Sequence, residues 1–334
     1  MLRITAAALL VVGALAPARA AEVDRLLPAE VEAVTVYNVR QIVDSALFKA
    51  HAAGPAKKLL AQEEVQTRLK DAGVEPLKDI DSVTMGTWLT AGETEPKMVL
   101  IARGTFDPAK LFTAAKAAAR DHGNVVSIVT HGGYQMVQIA PPAPTTPFVV
   151  ASPDEKTLLA SNDKGALAKL IGAAVAPPAK AAINKDLAFL VLAQDAKAAM
   201  YSANLITPAN AAMMAGLNNV QIPGIDLSKL TAQVGKIKTY SWSVRLAADV
   251  GAELSVGLPD AGAAADFGEA ADDAIAALKQ FLPLAAKAQP KMAGLADEFG
   301  KTARVKTDGK AVTVSLKLSA DAIGQAVPAG GDGD

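Results

Sequence analysis

The sequence predicts an α+β protein built as two tandem domains that repeat one element order as duplicated domains would, each a mostly antiparallel sheet covered by helices on one face. Three observations lead there. Short segments of alternating apolar and polar residues recur along the chain, joined by Gly-, Pro- and Asp-containing pairs that suit hairpins. Between the hairpins lie stretches with apolar residues at helical spacing, the first opened by an Asp cap. The order strand, helix, hairpin, helix, hairpin, helix then reads twice, at 27–172 and at 183–328, on either side of an Ala/Pro-rich linker at 173–182. Residue identity between the halves is slight, so two ordinary α+β domains remain the alternative to duplication.

The chain opens with Met1-Leu2-Arg3, a short positive start, and an apolar run over 4–15. Pro17 would break a helix there, and Ala18-Arg19-Ala20 supplies the small residues that a signal peptidase accepts. About a dozen apolar residues fall short of the ~20 needed to span a bilayer. A cleaved secretory signal at 1–20 is expected, and with it a periplasmic or extracellular protein.

The first half begins with a strand over 31–39. Helical sequence follows over 39–69, with a break expected at Gly54-Pro55 because proline cannot continue a helix interior. Strands at 82–90 and 97–104 form a hairpin. Asp107 is a natural N-cap with Pro108 at the first helical position. That helix runs to Asp121 and places Leu111, Phe112, Ala115 and Ala119 on one face. A turn at Gly132-Gly133 sets Ile128 opposite Val137, Val126 opposite Ile139 and Ser127 opposite Gln138, with apolar pairs on one face and polar pairs on the other. A further hairpin turns within Pro153-Asp154-Glu155-Lys156, and a helix over 163–171 closes the half.

The second half opens with a strand expected at 187–193 and largely helical sequence over 196–217. A hairpin of 238–247 and 252–258 turns near Val250-Gly251. The clearest helix, 263–282, carries Phe267, Ala271, Ala274, Leu278 and Phe281 on one stripe. Asp308-Gly309 signals a hairpin with Val305 opposite Val312 and Ala303 opposite Val314. A helix over 321–327 and a loose Gly/Asp-rich tail at 329–334 finish the chain.

Composition narrows the chemistry. The 334 residues contain no cysteine, which excludes disulfides, zinc-thiolate sites and Cys nucleophiles. Net charge is −1, so the basic stripe that a nucleic-acid backbone requires is missing. The three histidines, His51, His122 and His131, stand in separate elements, no two at helical spacing, so no metal is expected. Asp79-Ile80-Asp81 lacks the ligand spacing of a calcium loop. Ser161-Asn162-Asp163-Lys164 matches a Ser-x-x-Lys pattern, but Lys306-Thr307-Asp308-Gly309 only distorts the companion Lys-Thr-Gly motif and Ser-Asp-Asn is absent. His131-Gly132-Gly133 lacks an accompanying nucleophile elbow, and its glycines already serve a turn. No nucleotide-binding fingerprint is present, and adjacent carboxylates such as Glu63-Glu64 point in different directions on a helix. No catalytic residue is therefore assigned and no cofactor is expected.

Aromatic residues make up 4% of the chain. Trp88 and Trp242 each stand in the first strand of the first hairpin of their half. One explanation is a core residue at a repeated packing position. The other is that both line one groove between the halves and bind a ligand there. Tyr37, Tyr134, Tyr201 and Tyr240 fit a sheet surface.

Leu27-Pro28-Ala29-Glu30 running into Val34-Thr35-Val36-Tyr37-Asn38-Val39, together with Phe106-Asp107-Pro108 and Pro153-Asp154-Glu155-Lys156-Thr157-Leu158, resembles a group of exported bacterial proteins best known from planctomycetes, to which no function is assigned. The resemblance covers most of 27–170. It implies export and an α+β fold and carries no active site.

The expectation from these residues is an exported, non-catalytic binding or scaffold protein with a protein partner in the cell envelope, no nucleic-acid partner and no transmembrane segment in the mature chain. Two alternatives stay open: a small-molecule or lipid binder using the cleft between the halves, and a hydrolase acting through Ser161.

Overall fold

The computed structural model describes residues 20–90, 92–140, 146–177, 179–211 and 227–326. The signal segment expected at 1–20 lies outside them up to residue 19, as do 212–217 of the expected second-half helix and the tail at 329–334.

The described strands are β1 (Ala33–Tyr37), β2 (Ile80–Trp88), β3 (Lys97–Gly104), β4 (Val126–His131), β5 (Tyr134–Ile139), β6 (Phe148–Asp154), β7 (Thr157–Ser161), β8 (Met200–Leu205), β9 (Thr239–Leu246), β10 (Asp249–Gly257), β11 (Arg304–Asp308) and β12 (Ala311–Ser319). They form one sheet in the order β11-β12-β10-β9-β8-β1-β2-β3-β7-β6-β5-β4. Every neighbouring pair is antiparallel. The fold is α+β, as predicted, and the sheets of the two halves join edge to edge through β1 and β8. Thr35 pairs with Ser202 at that seam, and their hydroxyls share a hydrogen bond of 2.9 Å.

The helices are α1 (Val39–Asp44), α2 (Ala53–Leu60), α3 (Glu63–Ala72), α4 (Pro76–Asp79), α5 (Pro108–Asp121), α6 (Lys164–Val175), α7 (Lys185–Leu192), α8 (Ser228–Val234), α9 (Ala261–Ala288), α10 (Ala293–Thr302) and α11 (Ala320–Ala326). Asp107, Asp163 and Asp260 cap α5, α6 and α9, each accepting a backbone N–H three residues on at 2.8–3.0 Å. No described helix is long and apolar enough to cross a membrane.

Alternation along the strands assigns side chains to two faces. On one face Val34, Val36, Val99, Ile101, Val149, Leu159 and Ala203 are buried beneath Leu167 and Leu170 of α6, Leu187 and Val191 of α7, and the amino-terminal segment through Leu26, Leu27 and Val31. Each large buried side chain there contributes roughly 1.5–3 kcal/mol. In β9 to β12 that same face carries Ser241, Ser243, Glu253, Ser255, Thr313 and Ser315. Beyond β8 the second half packs on the opposite face, where Val256 and Val312 of β10 and β12 meet Phe267, Ala264 and Ala271 of α9.

Several local expectations are corrected. The segment 187–193 is the helix α7, and the strand is Met200–Leu205, inside a stretch expected to be helical. A short apolar run does not separate strand from buried helix by periodicity, and Asn184, whose side chain accepts the Asp186 N–H at 2.8 Å, is the helix signal. The helical run after β1 does not break at Gly54-Pro55. A π-helical stretch, Phe48–Ala52, precedes α2, and Pro55 falls in the first turn of α2, where a missing N–H is tolerated. The interruptions fall instead at Ser45 and at Ala61-Gln62. Helix α9 continues through Pro283 to Ala288, because Ala286 is buried against the neighbouring elements. The β9–β10 connection is Ala247-Ala248-Asp249, with Leu246 opposite Val250. In the last hairpin the two-residue turn is Gly309-Lys310, with Gly309 at φ +58°, so Val305 faces Val314 instead of Val312. That shift of two keeps every side chain on its expected face.

Candidate functional site

Antiparallel alternation gathers particular strand ends at one edge of the seam. The start of β1, the end of β2, the start of β3, the end of β8 and the start of β9 all meet there. Ala33, Thr87, Trp88, Leu89, Pro96, Asn204, Leu205 and Tyr240, with Glu32 before β1 and Ile206 and Asn210 after β8, surround a cavity of about 300 Å³. Both halves of the chain contribute to its walls.

The polar groups are positioned by main-chain stitching. The Glu32 N–H donates to Thr87 O at 2.9 Å, and Glu32 O accepts the Leu205 N–H at 2.9 Å. Its carboxylate oxygen Oε2 accepts from Asn210 Nδ2 at 3.3 Å and from Leu89 N at 3.4 Å. Asn210 is held in turn, because its Nδ2 donates to Leu205 O at 2.9 Å and its Oδ1 accepts the Thr207 N–H at 2.9 Å. Asn204 is 7% exposed. Its Nδ2 donates to Ser202 Oγ at 3.0 Å and to Tyr240 O at 3.4 Å, which leaves Oδ1 without a hydrogen-bond partner among the described residues. Burial pushes the Tyr240 phenol up from its ordinary value, so it stays protonated. The cavity thus presents a carboxylate, a free amide oxygen and two aromatic rings within a largely apolar wall.

The structure does not bring the two tryptophans together. Trp88 lines the cavity and also packs against the core beneath α6 and α7. Trp242 pairs with Ser202 and Leu254 three residues out of step, on the opposite face of the sheet. Of the two, Trp88 is among the residues that line this cavity and Trp242 is not, so this cavity is not a groove shared by both.

Other residues singled out in the sequence have local roles. Ser161 is fully buried, its Oγ donating to Met98 O at 2.7 Å and accepting the Asp163 N–H at 3.0 Å. Asp163 caps α6 and pairs with Lys97 at 3.2 Å; burial acts to raise its carboxyl, but the Ala166 N–H and Lys97 outweigh it and hold the group below its ordinary value. His122 is the C-cap residue of α5, and His131 closes the Gly132-Gly133 hairpin opposite Tyr134. His51 lies in the π-helical stretch against Gly324. Asp79 accepts the Glu75 N–H, and Lys306 pairs with Asp308 across 3.3 Å of exposed surface. Among the described residues no three of His, Asp and Glu converge as a metal site would require.

Two further crevices flank α5, which buries none of its residues. One of about 520 Å³ lies between α5 and β5–β6, lined by Leu111, Phe112, Val137 and Val150. The other, about 920 Å³, has an apolar floor at Val126, Val137 and Ile139 and a charged rim of Glu63, Arg68 and Asp71 on α3.

Glu32, Asn204 and Asn210 were missed by sequence reasoning. The available signal was an Asn in a strand of otherwise small and apolar residues, Met200–Leu205, which alternation alone would not explain.

No protein-family model matches the chain, and no curated protein matches it. Among solved structures, crystal form I of TP0453 is similar with a TM-score of 0.46 and 9% identity, covering 89% of this chain and 93% of that one. Crystal form IV of TP0453 gives a TM-score of 0.44 and 8% identity, covering 92% and 97%.

Proposed function

We propose that this is an exported, non-catalytic binding protein whose ligand occupies the seam cavity. The observation that carries the reading is the cavity itself: walls from both halves, a mostly apolar lining, and a few oriented polar atoms, one of them the Asn204 amide oxygen, which accepts from no described residue. The volume suits a small molecule or a single side chain of a partner. The lining holds acceptors on an apolar surface, with no nucleophile hydrogen-bonded to a base among its described residues.

The test uses Trp242→Phe protein, in which Trp88 is the single tryptophan and is excited selectively over the tyrosines, titrated with a panel of amines, sugars, carboxylates, fatty acids and short peptides. At least one class should shift Trp88 emission, and Asn204→Leu, which fills the cavity, should remove that shift. A panel that leaves the emission unchanged overturns the reading.

The half-buried α5 and its two crevices favour a second reading in which an apolar segment of a partner protein docks beside that helix. Cross-linking from a substituted Ala115 in envelope fractions would reveal such a partner, and an unchanged cross-link pattern would remove this reading.

A further inference from the structure

We infer that the seam cavity recognises an organic cation, an alkylammonium or guanidinium group, through the Glu32 carboxylate, the Asn204 amide oxygen and the rings of Trp88 and Tyr240. The inference rests on the reading of this cavity as the ligand site. Among the described residues that line it, Glu32 alone carries charge, and no Lys, Arg or His shares the wall. Glu32 forms no ion pair with any described residue; Oε2 takes two long amide contacts, and Oε1 takes none. A half-buried carboxylate lacking a countercharge is an incomplete pair, and a ligand cation completes it.

The rest of the wall agrees in chemistry. Asn204 Oδ1 is a second unused acceptor on a residue 7% exposed, so an N–H donor from the ligand would satisfy it. Aromatic rings attract a cation over their faces, and Trp is the strongest such ring. A carboxylate or phosphate ligand would meet Glu32 with no compensating cation. A neutral polyol would satisfy the acceptors and leave the charge unmatched.

A purely structural Glu32, tying Leu89 and Asn210 to the seam, is the competing account. Glutamine separates the two, because its amide oxygen still accepts from both N–H groups while the charge is gone. The cation can come free in solution or on a Lys or Arg side chain, so the probes are putrescine, agmatine, and the tripeptides Gly-Lys-Gly and Gly-Arg-Gly. Matched neutral probes are 1,4-butanediol and Gly-Leu-Gly. Binding is read from Trp88 emission in the Trp242→Phe background and from thermal shift.

At least one cationic probe should bind about tenfold or more tighter than its neutral match, and Glu32→Gln should abolish that preference with the melting temperature unchanged. Trp88→Phe, read by thermal shift, should weaken the cation severalfold and serves if Glu32→Gln fails to fold. Preference for the free amines or for the tripeptides identifies the source. Equal binding of cations and neutral probes, or a cation preference that survives Glu32→Gln, overturns the inference while leaving the ligand-site reading intact. Failure of every class in the wider panel overturns both.

Discussion

The two halves follow one script, yet the tightly packed core changes faces of the sheet between them. In each, a lone strand is followed by a hairpin, an Asp-capped helix, a hairpin and a short closing helix, with Asp107 and Asp260 each three residues past the hairpin's final glycine. The first half carries an additional hairpin, β4–β5, at its outer edge. Yet Val99 and Ile101 of β3 are fully buried, whereas Glu253 and Ser255 on the same face of β10 are partly or fully exposed. The face that is core in one half is largely wet in the other. Helices α5 and α9 lie on one face in both halves, whereas α6 and α7 cover the other face only beside β1 and β8 and in the first half. The tightest core therefore changes sides near the seam, and the cavity at its end is walled by residues of both faces: Trp88 and Leu205 from one, Asn204 and Tyr240 from the other. A sheet whose tight core changes sides leaves its seam incompletely packed, which is a physical origin for a binding cavity.

The largest test of this contrast is a pair of substitutions on that face. Ile101→Ala should cost about 4 kcal/mol in denaturant unfolding, whereas Glu253→Ala should stay within about 0.5 kcal/mol. Comparable losses at the two sites would end the comparison.

A second test sharpens it at Tyr201, which sits on the buried face of β8 and whose phenol is pushed up to about 12, first by burial and then by the Glu22 charge. The folded value exceeds the unfolded one, so the stabilisation is fully present below pH ~10 and is lost as pH rises toward 12. That loss amounts to about 3 kcal/mol. Tyr201→Phe should flatten the alkaline limb of the stability profile over pH 10–12, and an unchanged limb would place the residue outside the first-half core.

The smallest effect concerns the seam hydroxyls. Thr35→Val or Ser202→Ala alone should cost about 1–2 kcal/mol, because each leaves a buried hydroxyl short of its partner. The double variant should cost less than the sum, with a coupling of about 1 kcal/mol. Strict additivity would mean that the seam is held by its strand pairing alone.

Legibility from sequence followed the range of the interaction. Gly132-Gly133 with alternating flanks yielded all three predicted cross-strand pairs, since both glycines take the positive φ that a two-residue turn needs. Asp107-Pro108 located the start of α5 to the residue. The Asp308-Gly309 signal located its hairpin and missed the register by two, because the turn took Gly309-Lys310. The run 187–193 misled, because seven consecutive apolar residues suit a central strand and a buried helix equally. For the site, only Trp88 was legible in advance, and its supposed companion Trp242 lies on the other face.

What the sequence by itself determined is local: caps, turns and the alternation that assigns each residue to one of two faces, all set by neighbours a few positions apart. It also determined the cysteine-free, nearly neutral composition and the absence of catalytic motifs. Only the tertiary structure decided that β1 pairs with β8, that the tight core changes face across the seam, and that Glu32, Asn204 and Tyr240 meet across more than 200 residues of chain. Face assignment within a strand needs period alone, but which face is dry depends on where distant helices settle.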